Sequence, residues 1–358
     1  MVEYDIAVIA GDGIGPEVTR EALRALDAAA ELYGFRTRRT SYPFGSEHYL
    51  RTQEIFPDAA FAELHQRDAI FLGAIGDPRV PVGLIEYGII ARMRFELDLY
   101  VNLRPIKLYD ASLCPLKGKE PADVDMVIVR ENTEDAYCGA HGFAHKGQPL
   151  EVATQTMIYT RAGVERAVRF AFDLARERKR KRLMLIDKAN AVRAQDIWTR
   201  TFAEVALEYP DVATEHAYID AACMWMVKNP EWFDVAVTPN LFGDIITDLG
   251  AMIQGGMGIA ASGNLHPGQV SLFEPIHGSA PKHAGKNQAS PVAAILAAGM
   301  MLDHLGEKSA AAAIEAAVIE LLRSRRLKGV GTGTHSTSEV GDLVVSELRA
   351  ARGVPSAR

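Results

Sequence analysis

The sequence predicts an α/β fold built on a largely parallel sheet. Short apolar runs alternate with helix-length segments, and each apolar run leads into polar, motif-bearing sequence. Strands that alternate with helices in this way usually pair in parallel, because a parallel pair needs a long crossover connection. The predicted strands cover residues 5–10, 69–74, 124–129, 182–186 and 233–238.

The first strand leads into a glycine-rich turn, and a helix follows from Glu17 to about Tyr33. Pro16, just before it, is well placed for a helix start. A dinucleotide-binding Rossmann turn would read Gly-x-Gly-x-x-Gly, with an acidic residue about twenty positions on. Here the glycines fall at positions 11, 13 and 15, and the second strand, near 35–42, carries arginines and no acid. We therefore predict a tight turn whose backbone can lie close to a ligand.

The length and charge of the chain exclude several classes of protein. Its 358 residues suffice for two domains or one large α/β domain. The net charge is −7, and the densest basic run, 176–182, ends a predicted helix and enters a strand, so we expect no nucleic-acid binding. The longest apolar run, 292–302, has the length of a core helix rather than the ~20 residues of a membrane span.

The cysteines and the N-terminal sequence bear on the cellular compartment. The three cysteines have no paired spacing, which is typical of free thiols in a reducing environment. Residues 1–5 are charged and strand-like, and they lack the apolar core of a signal peptide. The sequence therefore predicts a cytoplasmic protein that does not enter a membrane.

Asp244 and Asp248 form the most informative local pattern. They are four residues apart in a predicted helix, so both carboxylates lie on one helical face and repel each other. Apolar neighbours such as Phe242 and Ile245 place the pair near buried surface, where unpaired charge is unfavourable. A bound Mg²⁺ or Mn²⁺ would turn this repulsion into attraction. A solvated acidic face capped at Asp244 is the alternative, and spacing alone leaves both open.

Six motifs, in one order along the chain, carry a resemblance to a known family. The chain resembles the metal-dependent β-decarboxylating dehydrogenases, which act on isopropylmalate, isocitrate, homoisocitrate, tartrate and D-malate. The resemblance runs from Ala7 to about Gly341, and residues 76–81 and 260–264 make the chain most similar to the actinobacterial 3-isopropylmalate type. The motifs are GDGIGPE (11–17), NLRP (102–105), RENTE (130–134), KAN (188–190), NLFGD (240–244) and EPIHGSAP (274–281).

The resemblance implies a two-domain α/β protein that is not a Rossmann fold and has a mixed central sheet. It assigns residues 1–100 plus 255–358 to a discontinuous cofactor-side domain. Residues 101–254 would form the domain that binds substrate and metal and makes the homodimer. It also implies an active site between the domains, with residues contributed by the partner subunit.

The resemblance further implies the reaction and the metal ligands. Family members oxidise C2 of a 2-hydroxy acid that carries a carboxylate on C3, and the β-keto acid loses CO₂ once a divalent cation polarises its carbonyl. Asp244 and Asp248 match the family's ligands for Mg²⁺ or Mn²⁺. Asp220 matches the third ligand, which the other subunit contributes. A helix N-cap is the alternative role for Asp220.

Arginines and an acid–base pair complete the implied site. Arg94, Arg104 and Arg130 match the carboxylate-binding arginines, whose planar forks can hold a carboxylate through two hydrogen bonds. Lys188 matches the residue that helps remove the hydroxyl proton, and Tyr137 the one that protonates the enolate carbon after decarboxylation. Ordinary salt bridges, an exposed lysine and a packed tyrosine are the structural alternatives.

The residues that match the family's cofactor site give conflicting indications. NAD-using members typically have an aspartate at the position of Lys282. The pair Lys282 and His283 is instead similar to NADP-using isocitrate dehydrogenases, in which the positively charged side chain pairs with the 2′-phosphate. Ala289 is typical of NAD users, and Ser290 replaces the usual Asn. We expect NAD⁺ or NADP⁺, with Lys282 and His283 tilting the preference to NADP⁺. The other implied cofactor contacts are Asn190, Glu274, His277, Gly278, Ser279 and Ala280.

Residues just before Arg94 face the C3 substituent of the substrate in this family. Ile89 and Ile90 favour an apolar group such as isopropyl, because an apolar wall offers a carboxylate no partner. The expected reaction is the NAD(P)-dependent conversion of 3-isopropylmalate to 2-oxo-4-methylpentanoate and CO₂, a step of leucine biosynthesis. Tartrate, D-malate or a 3-substituted malate of a specialised pathway stays open, because Tyr87 and Ala91 could reshape the pocket.

A non-catalytic metabolite-binding protein on the same fold is the alternative from another functional class. Such a protein needs a pocket but no proton transfer. Lys188 and Tyr137 are both present, together with all three candidate metal ligands. The sequence therefore favours an enzyme.

Overall fold

The computed structural model describes residues 1–331 and 333–353, in which strands alternate with helices. The strands are β1 (Glu3–Gly11), β2 (Arg36–Ser41), β3 (Ala69–Ala74), β4 (Val101–Lys107), β5 (Asp125–Glu131), β6 (His141–Ala144), β7 (Val152–Gln155), β8 (Arg182–Asp187), β9 (Ala213–Tyr218), β10 (Val235–Thr238), β11 (Ala261–Leu265) and β12 (Ser271–Pro275). The helices are α1 (Gly15–Tyr33), α2 (Ser46–Thr52), α3 (Asp58–Leu64), α4 (Arg92–Glu96), α5 (Arg161–Glu177), α6 (Asp196–Ala206), α7 (Ile219–Lys228), α8 (Asn240–Ile253), α9 (Val292–His304), α10 (Lys308–Arg323) and α11 (Thr337–Ala351).

The predicted elements lie close to the observed ones. Strand β3 has the predicted limits, and β1, β5, β8 and β10 agree with their predicted ranges to within two residues at either end. The predicted core helix is α9, which is buried on nearly every face. Like every other helix in the described ranges, it is not long and apolar enough to cross a membrane. The predicted α/β fold class is confirmed.

The described chain divides into two compact units. The first contains Met1–Leu99, Lys107–Pro121 and the chain from Ala251 onward. Its strands lie in the order β2-β1-β3-β12-β11. Neighbouring strands are parallel, except that β11 runs antiparallel to β12. The sheet is therefore mixed, as the resemblance implied, and its central strand β3 is buried along its whole length.

Helix α1 follows the glycine-rich turn and packs against α9 and α11. Pro16 lies in its first turn, and Gly34 ends it in the left-handed conformation, donating its N–H to the Ala30 carbonyl. In the turn before the helix, Gly13 has a φ of 58°, and a Cβ there would collide with the Ser279 carbonyl. The predicted tight turn is confirmed, and its close backbone approach is made to Ser279.

The second unit contains Tyr100–Ile106 and Ala122–Gly250. Its strands lie in the order β4-β5-β10-β8-β9, and the last four of these run parallel to one another. Helix α5 packs across β5, β8 and β10. Strands β6 and β7 form a separate antiparallel ribbon.

The register of the parallel strands positions the candidate site. Arg130 near the end of β5 pairs with Thr238 at the end of β10, and Asp187 at the end of β8 pairs with Tyr218 at the end of β9. The carboxyl ends of parallel strands meet at one edge of the sheet, which is where α/β proteins usually bind ligands. The segments that follow these strands, beginning at residues 188, 219 and 239, therefore start along this edge.

Candidate active site

Asp244 is the centre of a polar cluster in the second unit. Arg130 Nη1 donates to its Oδ1 at 2.6 Å, and the Tyr137 hydroxyl donates to its Oδ2 at 2.8 Å. Arg130 is buried, with 2% of its surface exposed, whereas the Asp244 side chain is 41% exposed. The cluster therefore presents a guanidinium, a phenol and a carboxylate together at an accessible position. This arrangement does not fit the alternative of a bare solvated acidic face.

The start of α8 is shaped to receive Arg130. Asn240 Oδ1 accepts from Arg130 Nε at 2.9 Å, and Asn240 Nδ2 donates to the Glu134 carbonyl at 3.1 Å. A Cβ added at Gly243 would lie 2.6 Å from the Cβ of Arg130, well inside van der Waals contact. Glycine at this position is what allows the aliphatic stem of Arg130 to pack against the helix.

Asp248 adds a second carboxylate one turn along α8. It is an exposed residue, but desolvation on its protein side raises the pKa of its carboxyl. Arg104 and Arg130 lower this pKa, and the nearby Asp244 carboxylate raises it. Burial and Asp244 together outweigh the two arginines, so the pKa stays raised. Carboxylate oxygens with excess negative charge are the ligands that a hard divalent cation prefers. Asp244 and Asp248 therefore fit the metal that the resemblance implies.

A third acidic ligand is needed from elsewhere to match the implied metal site. Within residues 1–331 and 333–353, no group of three or more His, Cys, Asp or Glu side chains is arranged to hold a metal ion. Asp220 lies in the first turn of α7, where Tyr218 rather than Asp220 occupies the N-cap position. The N-cap alternative for Asp220 is therefore wrong, and the carboxylate is 67% exposed.

Lys188 forms an ion pair with Asp220. Its Nζ lies 2.5 Å from Asp220 Oδ1, and this hydrogen bond lowers the pKa of the Asp220 carboxyl. The next candidate along the chain, Asn190, lies on an exposed turn two residues after Lys188. The structure thus joins the predicted base to one metal-ligand candidate and the predicted acid, Tyr137, to another, Asp244.

Tyr137 holds its hydroxyl proton more tightly than a free tyrosine does. Burial raises the pKa of its hydroxyl to about 12, and the charge of Asp244 and the hydrogen bond to it act in the same direction. Arg130, whose guanidinium lies 5.6 Å from the ring centre, opposes the shift. The phenol therefore keeps its proton at neutral pH.

The other two arginines are held by amide and carboxylate side chains. Arg104 on β4 is buried, and its Nε donates to Asn102 Oδ1 at 2.6 Å. In the first unit, Arg94 Nε donates to Asn264 Oδ1 at 3.0 Å, and its Nη2 lies 3.3 Å from Glu274 Oε1. Glu274, a predicted cofactor contact, thus serves in this structure to orient Arg94, and its cofactor contact stays a prediction.

The predicted specificity segment is a π-helical turn, Glu86–Ala91. Such turns are rare and are often found at functional sites. Ile89 is fully buried in the core of the first unit, whereas Ile90 packs against that core from a partly exposed position. The two isoleucines are therefore not equivalent, and of this pair Ile90 is the one with surface available to a ligand.

The predicted cofactor segment is anchored after β12 by Ser279. The Ser279 hydroxyl donates to the Gly76 carbonyl at 2.5 Å, and the Ser279 carbonyl accepts from the Ile14 N–H at 2.8 Å. The next residue, Ala280, has a φ of 39°, in the left-handed region that residues with a Cβ rarely adopt. The backbone conformation of the segment is therefore imposed by its surroundings.

A second anchor holds the far side of the cofactor segment. The Glu17 carboxylate accepts from the N–H groups of Gly285 and Asn287, the latter at 2.9 Å. Between the anchors, Lys282 is exposed, and within the described chain it makes no hydrogen bond or ion pair. His283 is partly exposed beside it.

The remaining cofactor candidates differ in accessibility. His277 Nε2 is buried and has no hydrogen-bond partner among the described residues, and burial lowers the pKa of the ring. A buried nitrogen of this kind is well suited to a polar ligand atom. Gly278 is exposed, whereas Ala289 is buried and the Ser290 hydroxyl lies in the turn that begins α9.

Sequence reasoning missed several residues that hold the site together. Asn240, Glu17 and Asp135 were not singled out, although the first two lie inside quoted motifs and Asp135 directly follows RENTE. The sequence does carry a signal for them, because each is a polar residue in or beside a motif and has no assigned ligand. Its partner could not be read from the sequence, because each contact joins distant segments.

Known proteins match this chain over nearly its whole length. A family model described as isocitrate/isopropylmalate dehydrogenase matches residues 5–344. A 3-isopropylmalate dehydrogenase from Thermobifida fusca is 50% identical over 346 residues, which is 96% of this chain and 97% of that protein. One from Frankia casuarinae is 50% identical over 340 residues, covering 94% and 97%.

Solved structures agree at the level of the fold. The isocitrate dehydrogenase from Methylococcus capsulatus superimposes with a TM-score of 0.87 at 34% identity, covering 97% of this chain and 99% of that one. A β-decarboxylating dehydrogenase from Thermococcus kodakarensis gives a TM-score of 0.77 at 34% identity, covering 97% and 96%.

Proposed function

Because the chain belongs to the isocitrate/isopropylmalate dehydrogenase family, we propose that it oxidises and decarboxylates 3-isopropylmalate with a nicotinamide cofactor and a divalent metal ion. The products would be 2-oxo-4-methylpentanoate and CO₂. The predicted family is confirmed by the match over residues 5–344. The observation that carries the chemistry is the Asp244 carboxylate, which binds Arg130 and Tyr137 one turn from Asp248.

The arginines are assigned to the two carboxylates of the substrate. Arg104 and Arg130 are buried in the second unit, and Arg94 is oriented by Glu274 in the first. A guanidinium with a fixed orientation places a carboxylate as well as attracting it, and such placement lowers the barrier to reaction.

Asp244 and Asp248, with Asp220 from a second copy of the chain, are assigned to Mg²⁺ or Mn²⁺. The bound cation would supply Lewis-acid chemistry at the C2 oxygen of the substrate. Lys188 would take the hydroxyl proton, and a bound nicotinamide would supply the hydride acceptor for C2. After CO₂ leaves, Tyr137 gives its proton to C3, and its raised pKa keeps that proton on the phenol until then.

The proposal includes a homodimer built on the second unit. Its support is the exposed carboxylate of Asp220 and the exposed apolar side chains of Met224 on α7 and Ile245 on α8. Covering such exposed apolar side chains with a second copy of the chain would stabilise the dimer. Because Lys188 is paired with Asp220, a chain that presents Asp220 to its partner presents Lys188 with it.

The domain roles follow from the positions of these residues. We assign the cofactor segment and the substrate contacts of Ile90 and Arg94 to the first unit, and the other substrate contacts, the metal and the dimer interface to the second. The predicted limits, 1–100 plus 255–358 and 101–254, lie near those of the units, although 107–121 belongs to the first unit. A cytoplasmic location stays a prediction, with Cys114, Cys138 and Cys223 all unpaired thiols in the structure.

NADP⁺ is the proposed cofactor. Lys282 is exposed and lies between the two anchors of the segment, where its ammonium group is available to a 2′-phosphate. Ala289, the residue that favours NAD⁺, is buried and offers little surface to either dinucleotide. The support for NADP⁺ therefore comes from charge at an accessible position.

The decisive experiment is a substrate panel. The purified protein is assayed with 3-isopropylmalate, isocitrate, homoisocitrate, tartrate and D-malate, each with NAD⁺ and NADP⁺, in Mn²⁺ and in excess chelator. We expect the highest kcat/KM with 3-isopropylmalate and no turnover in chelator. A preference for tartrate or D-malate would replace the proposed substrate, and binding without turnover of any acid would make the protein a metabolite binder.

A further inference from the structure

Three polar residues in the second unit form a continuous chain of hydrogen bonds. Gln195 Nε2 donates to the Tyr159 hydroxyl at 2.8 Å, and that hydroxyl donates to Asp135 Oδ1 at 2.7 Å. Gln195 and Asp135 are completely buried. Buried polar groups are almost always hydrogen-bonded, and a satisfied network of this kind favours one arrangement of its members.

Each end of the chain holds the backbone of a segment that carries site residues. Gln195 Oε1 accepts from the Lys188 N–H at 2.7 Å, and Asp135 Oδ2 accepts from the Leu241 N–H at 2.9 Å. Leu241 lies in the first turn of α8, where N–H groups have no partner within the helix and a negative charge is favourable. Asp135 thus caps α8 at Leu241, which lies three residues before Asp244.

Asp135 also sets the start of the turn that carries Tyr137. Its φ is 70°, in a left-handed region that aspartate tolerates better than most residues. Its own N–H donates to the Ile158 carbonyl at 2.8 Å, so both its backbone and its side chain bind the segment containing Tyr159. Tyr137 follows two residues later.

The hydrogen bonds that these three side chains make all have their donor on the side away from Asp135, so the Asp135 carboxylate is the final acceptor. Gln195 uses its oxygen for the Lys188 N–H and therefore presents its nitrogen to Tyr159, whose one proton goes to Asp135. Burial raises the pKa of the Tyr159 hydroxyl against the opposing effect of Gln195, and the bond to Asp135 raises it further. A change at one member therefore disturbs the others.

We propose that Asp135, Tyr159 and Gln195 are positioning residues that hold the Lys188 turn and the start of α8 in the geometry needed for catalysis. The inference rests on the proposed function, because it concerns how the acid–base and metal-binding groups of that function are placed. The three residues touch neither substrate nor cofactor in this scheme. They act through the segments whose backbone they bind.

The first test is a double-mutant cycle on turnover with Tyr159→Phe and Gln195→Met. Each change removes both hydrogen bonds of its side chain, including the one that Gln195 and Tyr159 share, and keeps most of the side-chain volume. We expect kcat to fall about 10- to 100-fold in each single variant, since small displacements of reacting groups have effects of this size, while the KM for the dinucleotide is unchanged. The double variant should lose little more than the worse single variant, because both changes break the same chain.

The second test does not depend on turnover. Amide hydrogen exchange of the native protein should show faster exchange at the Lys188 and Leu241 N–H groups in Tyr159→Phe, although these amides are far apart in the sequence. If the unmodified protein turns over none of the candidate acids, the proposed function fails, but this measurement still decides whether the network holds both segments.

Tyr209→Phe is the matched control. Tyr209 is a buried tyrosine of the second unit, and its hydroxyl also donates to an aspartate, Oδ1 of Asp173, at 2.9 Å. It should leave kcat and both amides unchanged, even where it lowers the melting temperature. Multiplicative losses in the double variant, or unchanged kcat and exchange in Tyr159→Phe, would overturn the proposal and leave a purely structural network.

Discussion

The Tyr137 hydroxyl lies 2.8 Å from Oδ2 of Asp244, and Arg130 binds the other oxygen of the same carboxylate. The proposed proton donor and a proposed substrate-binding arginine therefore share one acidic partner. A cation that binds Asp244 draws on the same two oxygens, so occupancy of the metal site and the orientation of Tyr137 and Arg130 are linked.

Asp244→Asn should weaken divalent-cation binding, because the amide is neutral and offers one oxygen in place of two. We expect the dissociation constant for Mn²⁺, followed by electron paramagnetic resonance, to rise at least about tenfold. Asp173→Asn, which changes another aspartate that accepts from a tyrosine in the same unit, is the control. Equal Mn²⁺ affinity in the two variants, or full turnover in excess chelator, would contradict the metal assignment.

Tyr137→Phe should separate the two halves of the reaction. Proton donation to C3 follows the loss of CO₂, so complete turnover should fall by about 100-fold or more, the usual effect of losing a general acid. Reduction of added β-keto acid should fall much less, since it needs no proton at C3. Equal losses in both assays would remove Tyr137 from the protonation step.

Tyr137 should also contribute to the loss of stability at alkaline pH. Folding raises its pKa from the ordinary value of about 10 to about 12, so the folded state holds the proton more tightly than the unfolded state. This contribution is complete below the unfolded pKa and is lost as the pH rises through the folded pKa. Tyr137→Phe should flatten the decline in the free energy of unfolding over that window. Urea titrations at a series of pH values would show it, and an unchanged slope would rule it out.

Lys282→Asp should shift cofactor preference towards NAD⁺. An ammonium group attracts a 2′-phosphate and a carboxylate repels it, so the ratio of kcat/KM for NADP⁺ over NAD⁺ should fall at least about tenfold. Lys286→Asp makes the same charge change four residues further along and should have little effect. If the unmodified enzyme prefers NAD⁺ and Lys282→Asp leaves the ratio alone, Lys282 is a surface residue and Ala289 was the better guide.

Gly243→Ala should lower the free energy of unfolding by about 1–3 kcal/mol, because the new methyl group overlaps the stem of the buried Arg130. Gly299→Ala is the control, since Gly299 is also helical and a Cβ there would meet Ile314 at an ordinary 3.5 Å. That change should be neutral or stabilising by up to about 1 kcal/mol. Denaturant titrations measure both, and equal effects would show that the contact with Arg130 is unimportant.

Features that depend on local pattern could be predicted from the sequence. Strand β3 was predicted to the residue because six consecutive buried residues in a central strand leave an uninterrupted apolar run. The spacing of Asp244 and Asp248 was informative because helix geometry places both on one face. Motif order then brought Arg130, Lys188 and Tyr137 into the candidate site before any contact was known.

Features that depend on long-range contacts could not be predicted. Glu274 binds Arg94, 180 residues away in sequence, and nothing local indicates that a motif carboxylate would orient an arginine. Asp135 caps a helix that begins 105 residues later, so capping rules that compare neighbouring residues do not detect it. Ile89 is buried and Ile90 only partly so, a difference that depends on which face of the turn packs against the core of the first unit and that two adjacent isoleucines do not reveal.

The same π-helical turn has an evolutionary consequence for substrate choice. It accommodates one residue more per hydrogen-bonded ring than an α-helix, so deleting a single residue from Glu86–Ala91 would restore α-helical geometry. Because a π-turn takes up its extra residue locally, the helical residues on either side would keep their orientation, and Arg94 would stay on the same face. The proposed specificity segment, in contrast, would lose one position and the wider turn that it forms. Single-codon deletions across this turn would therefore reshape the wall ahead of Arg94 without turning the arginine, a change that point substitutions cannot make.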